Sequence, residues 1–252
     1  MQQYSRHATL FSDAQFARIQ KTRVLVAGAG GLGSTVLQLL TRYGFGEIHF
    51  YDDGILDPPD LNRQILYTSR DLGSPKASTA KRLLEAINPE VTLIAHQERL
   101  SPDSNVPDVD FVMDCLDNYA GRLLLDERFF RHQIPVIHGG ASTFFGQVTT
   151  LVPGKTPGLA EIYGERNMQD SPGCPKDIYP PVVTTVASLQ ASEAVKLACG
   201  LYDKLLLNKI QVIDLLTNSF DVIRTHFKTD FEARLSEKPV GKAGGEKGSE
   251  AY

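Results

Sequence analysis

The sequence contains few cysteines and no long apolar run. Its three cysteines are Cys115, Cys174 and Cys199, and an odd number without close pairs argues against a disulfide framework or a metal site built from cysteines alone. No apolar stretch approaches the roughly 20 residues of a membrane-spanning helix, and the N-terminus lacks the basic start and apolar run of a signal peptide. We expect a cytoplasmic protein with reduced thiols and no membrane association.

An excess of basic residues is also missing. The formal net charge is -4, so the whole molecule offers no electrostatic reason to bind nucleic acid or an anionic membrane. With 42% hydrophobic and 22% charged residues among 252, the composition is that of a soluble globular protein, and one large α/β domain fits the length.

Strand-like and helix-like patterns alternate through the first 140 residues. The runs RVLVAGA, EIHFYD, VTLIAH, DFVMDC and IPVIHG read as strands, and helices are predicted over 12–20, 31–43 and 76–87. This order predicts a doubly wound, mostly parallel, Rossmann-like sheet with helices on both faces. Later alternating stretches predict antiparallel strands that extend the sheet. A loop over 153–181 and a helix over 183–198 lie between them.

A glycine-rich turn follows the first predicted strand. Gly28, Gly30 and Gly33 form G-x-G-x-x-G between a strand and a helix, and Gly31 adds a further residue without a side chain. Backbone N–H groups and a helix N-terminus can approach a phosphate there. Asp52 ends the next strand, where a carboxylate can accept hydrogen bonds from ribose hydroxyls. The alternative is a tight turn with packing glycines, and the ribose of NAD would suit Asp52 as well as that of ATP.

Charged residues beyond Asp52 favour a triphosphate. Arg63, Gln64 and Lys76 follow the second predicted strand, at the end of the sheet where doubly wound folds bind ligands. Lys76 lies in the first turn of its helix, where a cation is slightly unfavourable, which supports a functional role. A nicotinamide dehydrogenase would not need these cations.

Two carboxylates end a later strand. Asp114 and Asp117 stand in DFVMDCLDN, and carboxylates close to phosphates are reasonable when Mg²⁺ lies between them. Asp117 is the expected ligand. The alternative is that Asp117 caps the helix that starts near Tyr119.

Taken together, these motifs closely resemble the ThiF/MoeB/HesA family, the bacterial relatives of ubiquitin-activating enzymes. The resemblance covers residues 4 to about 227 and includes PVVTTVASLQASEAVKLACG. It is carried by the following segments: GAGGLG, Asp52, LNRQ at 61–64, GSPKA at 73–77, INP at 87–89 and DCLDN at 114–118.

The resemblance implies roles for individual residues. Asp52 would hold the ribose of ATP, the side chains of Arg63, Gln64 and Lys76 would contact the triphosphate, and Asp117 would bind Mg²⁺. Family members are homodimers in which an arginine of a Y-x-R segment reaches the partner's ATP site, and Arg6 in YSRH matches it. Residues 1–227 would then form the ATP-binding adenylyltransferase domain, followed by a mostly disordered polar tail over 228–252.

The sequence departs from the family pattern at several places. The usual SNLNRQ reads PDLNRQ, so Asp60 replaces an asparagine near the phosphates. Two CxxC pairs that bind zinc in many members are missing, and no zinc is expected. Cys174 lies in the loop where some relatives place a reactive thiol. Its alternative is an incidental loop cysteine.

The implied reaction is ATP-dependent adenylation of the C-terminal glycine carboxylate of a small ubiquitin-like sulfur-carrier protein, with release of pyrophosphate. The carrier would end in Gly-Gly, and a sulfur donor such as a cysteine desulfurase would use the product. Two alternatives remain open from the residues: a non-catalytic nucleotide-binding scaffold for a ubiquitin-like partner, which Asp60 favours, and an NAD-dependent oxidoreductase.

Overall fold

A computed structural model describes residues 2–164, 168–169 and 177–225. The strands are β1 (Arg23–Ala27), β2 (Glu47–Tyr51), β3 (Thr92–His96), β4 (Phe111–Asp114), β5 (Val136–Ser142), β6 (Phe145–Leu151), β7 (Lys209–Asp214) and β8 (Ser219–Arg224). The helices are α1 (Asp13–Ile19), α2 (Gly31–Tyr43), α3 (Lys76–Ile87), α4 (Tyr119–Arg128), α5 (Leu159–Tyr163) and α6 (Pro180–Ala198).

All the strands belong to one sheet, in the order β3-β2-β1-β4-β5-β6-β7-β8. The pairs among β3, β2, β1, β4 and β5 are parallel, and β5 to β8 pair antiparallel. The fold class predicted from the sequence is therefore confirmed, including the antiparallel extension.

The residues of β1 alternate between two apolar cores, one on each face of the sheet. Val24 and Val26 pack in the core that contains apolar residues of α2, α3 and α6. Leu25 and Ala27 pack in the second core with α4 and α5. Because β1 is buried on both faces, its sequence is a continuous apolar run rather than an alternating one.

Local signals explain where several helices begin and end. Ser12 caps α1, since its side chain accepts the Gln15 N–H while the Gln15 side chain accepts the Ser12 N–H. Gly44 ends α2 with a φ of 82°, a conformation that glycine adopts without steric cost. Pro75 precedes α3, which begins at Lys76 as predicted.

Helix α5 was not predicted from the sequence. It lies within the segment expected to be a loop, and its start is held by a distant residue, because the Leu159 N–H donates to Asp126 Oδ1 at 2.8 Å. Helix α6 also begins earlier than expected, at Pro180 rather than near Val183. Residues 228–252, predicted to be a disordered tail, lie outside the described residues.

Gln190 of α6 fixes this helix to the sheet where β4 and β5 run side by side. Its Nε2 donates to the carbonyl oxygens of Asp114 at 2.8 Å and Ile137 at 3.2 Å. A side chain on Gly139 would collide with Gln190, since its Cβ would lie 2.3 Å from Gln190 Cδ. Gln190 thus joins α6 to the last residue of β4 and to the early part of β5. No helix in the described part of the chain is long and apolar enough to cross a membrane.

Replacing Gln190 by alanine should lower the free energy of unfolding by about 2 to 4 kcal/mol, because two buried carbonyl oxygens lose their donor and a cavity is left. Urea unfolding measures the change. Ser188→Ala, at an exposed position of the same helix, is the control and should stay within about 0.5 kcal/mol of wild type. Equal stability of the two variants would contradict this role of Gln190.

Candidate functional site

The candidate site lies at the carboxyl ends of β1, β2 and β4. Strand β1 is the branch point of the sheet, because the chain continues to β2 on one side and β4 pairs on the other. Ligands of doubly wound sheets bind in the crevice at such a branch point. The glycine turn after β1, Asp52 after β2 and the DCLDN segment after β4 all meet there.

The glycine turn permits an unusually close approach of α2 to β1. A Cβ on Gly33 would lie 1.9 Å from the Gly28 carbonyl oxygen, and one on Gly28 would lie 2.9 Å from the Cys115 carbonyl oxygen. Gly30 precedes α2 and supplies no capping side chain, so the first-turn N–H groups of α2 remain available for an anion. Gly31 opens the helix.

Asp52 is held against this turn by two backbone donors. Its Oδ2 accepts the Ala29 N–H and its Oδ1 accepts the Gly54 N–H, both at 2.8 Å. Each oxygen keeps a further lone pair, so the carboxylate can accept hydrogen bonds from ribose hydroxyls while its position stays fixed.

Tyr67, which the sequence analysis did not single out, stabilises the same turn. Its hydroxyl donates to the Ala29 carbonyl oxygen at 2.8 Å and is buried. Burial, with the nearby Asp52 charge, raises the pKa of Tyr67 far above its usual value. Tyr67 therefore stays a neutral donor. Its contact is with a residue 38 positions away, so no local pattern signals it.

The predicted phosphate-contacting side chains converge on Asp60. Lys76 Nζ lies 3.0 Å from Asp60 Oδ2, and Gln64 Nε2 donates to Asp60 Oδ1 at 2.6 Å. The guanidinium of Arg63 is 3.6 Å from the same oxygen, and it also donates to the Pro59 carbonyl at 2.9 Å. The site thus contains a compact cluster of two cations, one amide and one carboxylate.

This cluster borders the glycine turn. A Cβ on Gly30 would lie 3.7 Å from Gln64 Nε2, and one on Gly31 would lie 3.8 Å from Arg63 Cδ. On the other side, the stem of Lys76 passes Gly54, whose N–H holds Asp52. The glycine turn, Asp52 and the cation cluster therefore form one continuous site.

The two aspartates at the end of β4 point in different directions. Asp114, expected on the ligand side with Asp117, is fully buried, and its Oδ2 pairs with His138 Nδ1 at 2.6 Å. Asp117 is exposed, and its Oδ1 accepts from Asn118 Nδ2 at 3.2 Å. Asn118, not Asp117, caps α4 by accepting the Gly121 N–H. The capping alternative for Asp117 was therefore wrong, and of the two aspartates Asp117 is the one whose side chain is accessible at this edge.

A chain of polar side chains, buried at Asp114 and His138 and partly buried at Gln147 and Tyr163, runs from the end of β4 into a neighbouring cavity of about 230 Å³. Gln147 Nε2 contacts His138 Nε2 at 3.3 Å, and the Tyr163 hydroxyl donates to Gln147 Oε1 at 3.0 Å. Burial lowers the pKa of His138, although the Asp114 carboxylate opposes this shift. The residues that line the cavity are Tyr119, Arg122, His138, Gln147, Tyr163 and Met168. The sequence analysis missed this network because its members are far apart in sequence.

Arg6 lies far from the other predicted site residues of the same chain. The buried Tyr4 anchors its segment, since Asn88 Nδ2 donates to the Tyr4 hydroxyl at 2.8 Å. Asn88 follows α3, whose opposite end carries Lys76, and 12 helical residues span about 18 Å. The exposed Arg6 is thus placed near the amino ends of the strands rather than beside Lys76.

The cysteines fall into two groups. Cys115 and Cys199 are buried and unpaired, and burial raises the pKa of both thiols, as for small core residues. Cys174 lies outside the described residues. Within the described ranges, no cluster of at least three His, Cys, Asp or Glu side chains is arranged to hold a metal ion.

The fold and the site define a nucleotide-binding α/β protein, and comparison with known sequences identifies its family. The model of the ThiF family matches residues 4–233. The chain belongs to this family, as predicted from its motifs.

Several named relatives are similar over most of the chain. Protein HesA, heterocyst, of Trichormus variabilis is 34% identical over 220 residues, which cover 85% of this chain and 81% of the relative. The SAMP-activating enzyme E1 of Haloferax volcanii is 35% identical over 208 residues, which cover 78% of this chain and 75% of the relative. The sulfur carrier protein ThiS adenylyltransferase of Escherichia coli is 32% identical over 188 residues, which cover 73% of this chain and 75% of the relative. These relatives support the predicted enzyme class, an adenylyltransferase.

Solved structures share the fold. E. coli MccB in complex with MccA-N7isoAsn has a TM-score of 0.78 and 21% identity, with 90% of this chain and 72% of MccB covered. PaaA has a TM-score of 0.76 and 22% identity, with 88% and 72% covered. At such identities the likeness concerns the fold alone.

The free energy of unfolding should fall as the pH drops below about 6.5, the pKa of an unperturbed histidine. The pKa values of His138 and His96 are lowered in the folded protein, mainly by burial. The unfolded chain therefore binds these protons first, and stability decreases with acid. Urea unfolding between pH 7.5 and about pH 5 measures the slope.

His138→Asn should flatten this slope, because an asparagine amide can still donate to Asp114 but does not titrate. His132→Asn, which removes an exposed imidazole, is the matched control. A slope unchanged by the His138 substitution would mean that another group causes the acid sensitivity.

Proposed function

We propose that this protein transfers AMP from ATP to the C-terminal glycine carboxylate of a small ubiquitin-like sulfur-carrier protein and releases pyrophosphate. The observation that carries the proposal is the convergence of Arg63, Gln64 and Lys76 beside the glycine turn that Asp52 holds. The names of two relatives, a ThiS adenylyltransferase and a SAMP-activating enzyme, support a carrier protein as the substrate.

The site meets the main physical demand of this reaction. A terminal carboxylate is ionised at neutral pH and needs no general base, so the barrier comes from bringing two anions together. Arg63 and Lys76 supply positive charge, and the N-terminus of α2 adds its partial charge. Asp52 fixes the nucleotide through the ribose, which aligns the α-phosphate for attack.

Asp117 is the residue that would hold Mg²⁺. It is exposed at the carboxyl edge, where its Oδ1 accepts a hydrogen bond from the neutral side-chain amide of Asn118, whereas Asp114 is buried and paired with His138. When bound, Mg²⁺ supplies positive charge to the phosphate oxygens of ATP.

We further propose a homodimer in which Arg6 of one chain contacts the nucleotide of the other. The distance between Arg6 and Lys76 within one chain supports this arrangement, because Arg6 lies beside Tyr4 and Asn88, at the far end of α3.

The antiparallel strands offer a surface for the carrier. Strand β8 lies at one edge of the sheet in the described part of the chain, and apolar side chains are exposed on β8, in the turn before it and at the start of β6. They are Phe144, Phe145, Leu216, Phe220, Val222 and Ile223. Exposed apolar patches of this kind mark protein interaction surfaces. A carrier docked there would send its Gly-Gly tail across β6 and β5 towards Asp117.

A sulfur donor such as a cysteine desulfurase would then consume the acyl-adenylate.

Exchange of labelled pyrophosphate into ATP tests the reaction. We expect Mg-dependent exchange that requires a carrier ending in Gly-Gly and is lost with a carrier that lacks its last two residues. ATP binding without exchange would instead favour a non-catalytic scaffold, for which the neutralisation of Lys76 by Asp60 is the supporting observation.

Asp117→Asn should reduce this exchange by about 100-fold or more, since removal of one electrostatic contact to the reacting groups has effects of that order. The fold should be unaffected, because Asp117 is exposed. Asp103→Asn, at an exposed loop position with the same change of charge, is the control. Full exchange by the Asp117 variant would remove the assignment of Mg²⁺ to this residue.

A further inference from the structure

Asp60 is a buried carboxylate in the middle of the cation cluster. It lies in the short 3-10 helix Pro58–Asn62, and only 9% of its surface is exposed. A buried carboxylate is costly unless it is paired and hydrogen-bonded, so its partners indicate what it does.

Those partners are the side chains expected to bind the triphosphate. Lys76 Nζ is 3.0 Å away, with the Lys76 side chain only 14% exposed, and Gln64 donates a hydrogen bond of 2.6 Å. Arg63 is more distant at 3.6 Å. The Asp60 carboxylate also accepts the Asp57 N–H at 3.1 Å, which attaches it rigidly to its own loop.

We infer that Asp60 is a positioning residue that presets Lys76 and Gln64 for the triphosphate and, through its charge, weakens nucleotide binding. This inference rests on the proposed function. The Asp60 carboxylate holds the Lys76 ammonium group in position before the nucleotide binds. A phosphate of the nucleotide must then compete with Asp60 for Lys76.

The two effects have different chemical origins and can be separated. Positioning depends on an oxygen acceptor at this place, whereas weakened binding depends on the negative charge. Because Lys76 Nζ is 3.0 Å from Asp60, a phosphate oxygen bound to Lys76 would lie within a few ångströms of the carboxylate, where repulsion between like charges is substantial even with solvent screening. Asparagine keeps an acceptor and the side-chain shape but removes the charge. Alanine removes both.

The experiment measures binding of α,β-methylene ATP with Mg²⁺ by calorimetry, for the full chain and its variants. Asp60→Asn should bind the nucleotide about tenfold more tightly than wild type. Removing one nearby like charge is expected to change the binding free energy by about as much as a shift of one pKa unit. Asp60→Ala should bind about tenfold more weakly than Asp60→Asn, because Lys76 and Gln64 lose their common acceptor. In pyrophosphate exchange, the KM for ATP of Asp60→Asn should fall by the same factor without a rise in kcat.

Asp53→Asn is the matched control, since it removes a carboxylate that lies near the site but pairs with Arg99 at the surface. It should bind the nucleotide like wild type. Equal or weaker binding by Asp60→Asn would overturn the charge effect, and equal binding by the two Asp60 variants would overturn the positioning effect. Failure of wild type to bind the nucleotide would be a different result, because it would overturn the proposed function itself and this inference with it.

Discussion

The close approach of α2 to β1 is the constraint on which the rest of the site depends. Only a residue without a side chain fits at Gly33, because any Cβ there would overlap the Gly28 carbonyl oxygen. This contact brings the positive end of a 13-residue helix to the branch point of the sheet. Asp52 and the cation cluster lie beside the turn that leads into that helix end.

Much of the fold and part of the site could be predicted from the sequence, because the relevant signals are local. Buried strands such as β1 are continuous apolar runs, and the glycines at 28, 30 and 33 stand between a strand and a helix. Asp52 follows directly after β2, and the topology of a parallel sheet brings strand ends together. The glycine turn and Asp52, which follow two neighbouring parallel strands, therefore lie together at one edge, whereas Asp114, expected on the ligand side, is buried.

The directions of individual side chains could not be predicted in this way. Asp114 and Asp117 are three positions apart, yet one points into the core towards His138 and the other to the surface. Tyr67, Gln147 and the start of α5 depend on contacts between distant parts of the chain. The sequence shows that Asp60 places a negative charge near the expected phosphates, but only the structure gives the side chains that compensate this charge.

The polar network beneath the sheet edge also connects two parts of the molecule mechanically. Tyr163 belongs to α5, and through Gln147 and His138 it is joined to the last residue of β4. Three polar contacts in series link α5 to the end of β4, so a change in the length or direction of one contact alters the geometry of the next. The position of α5 therefore constrains how Gln147 and His138 are oriented beside Asp114 at the end of β4.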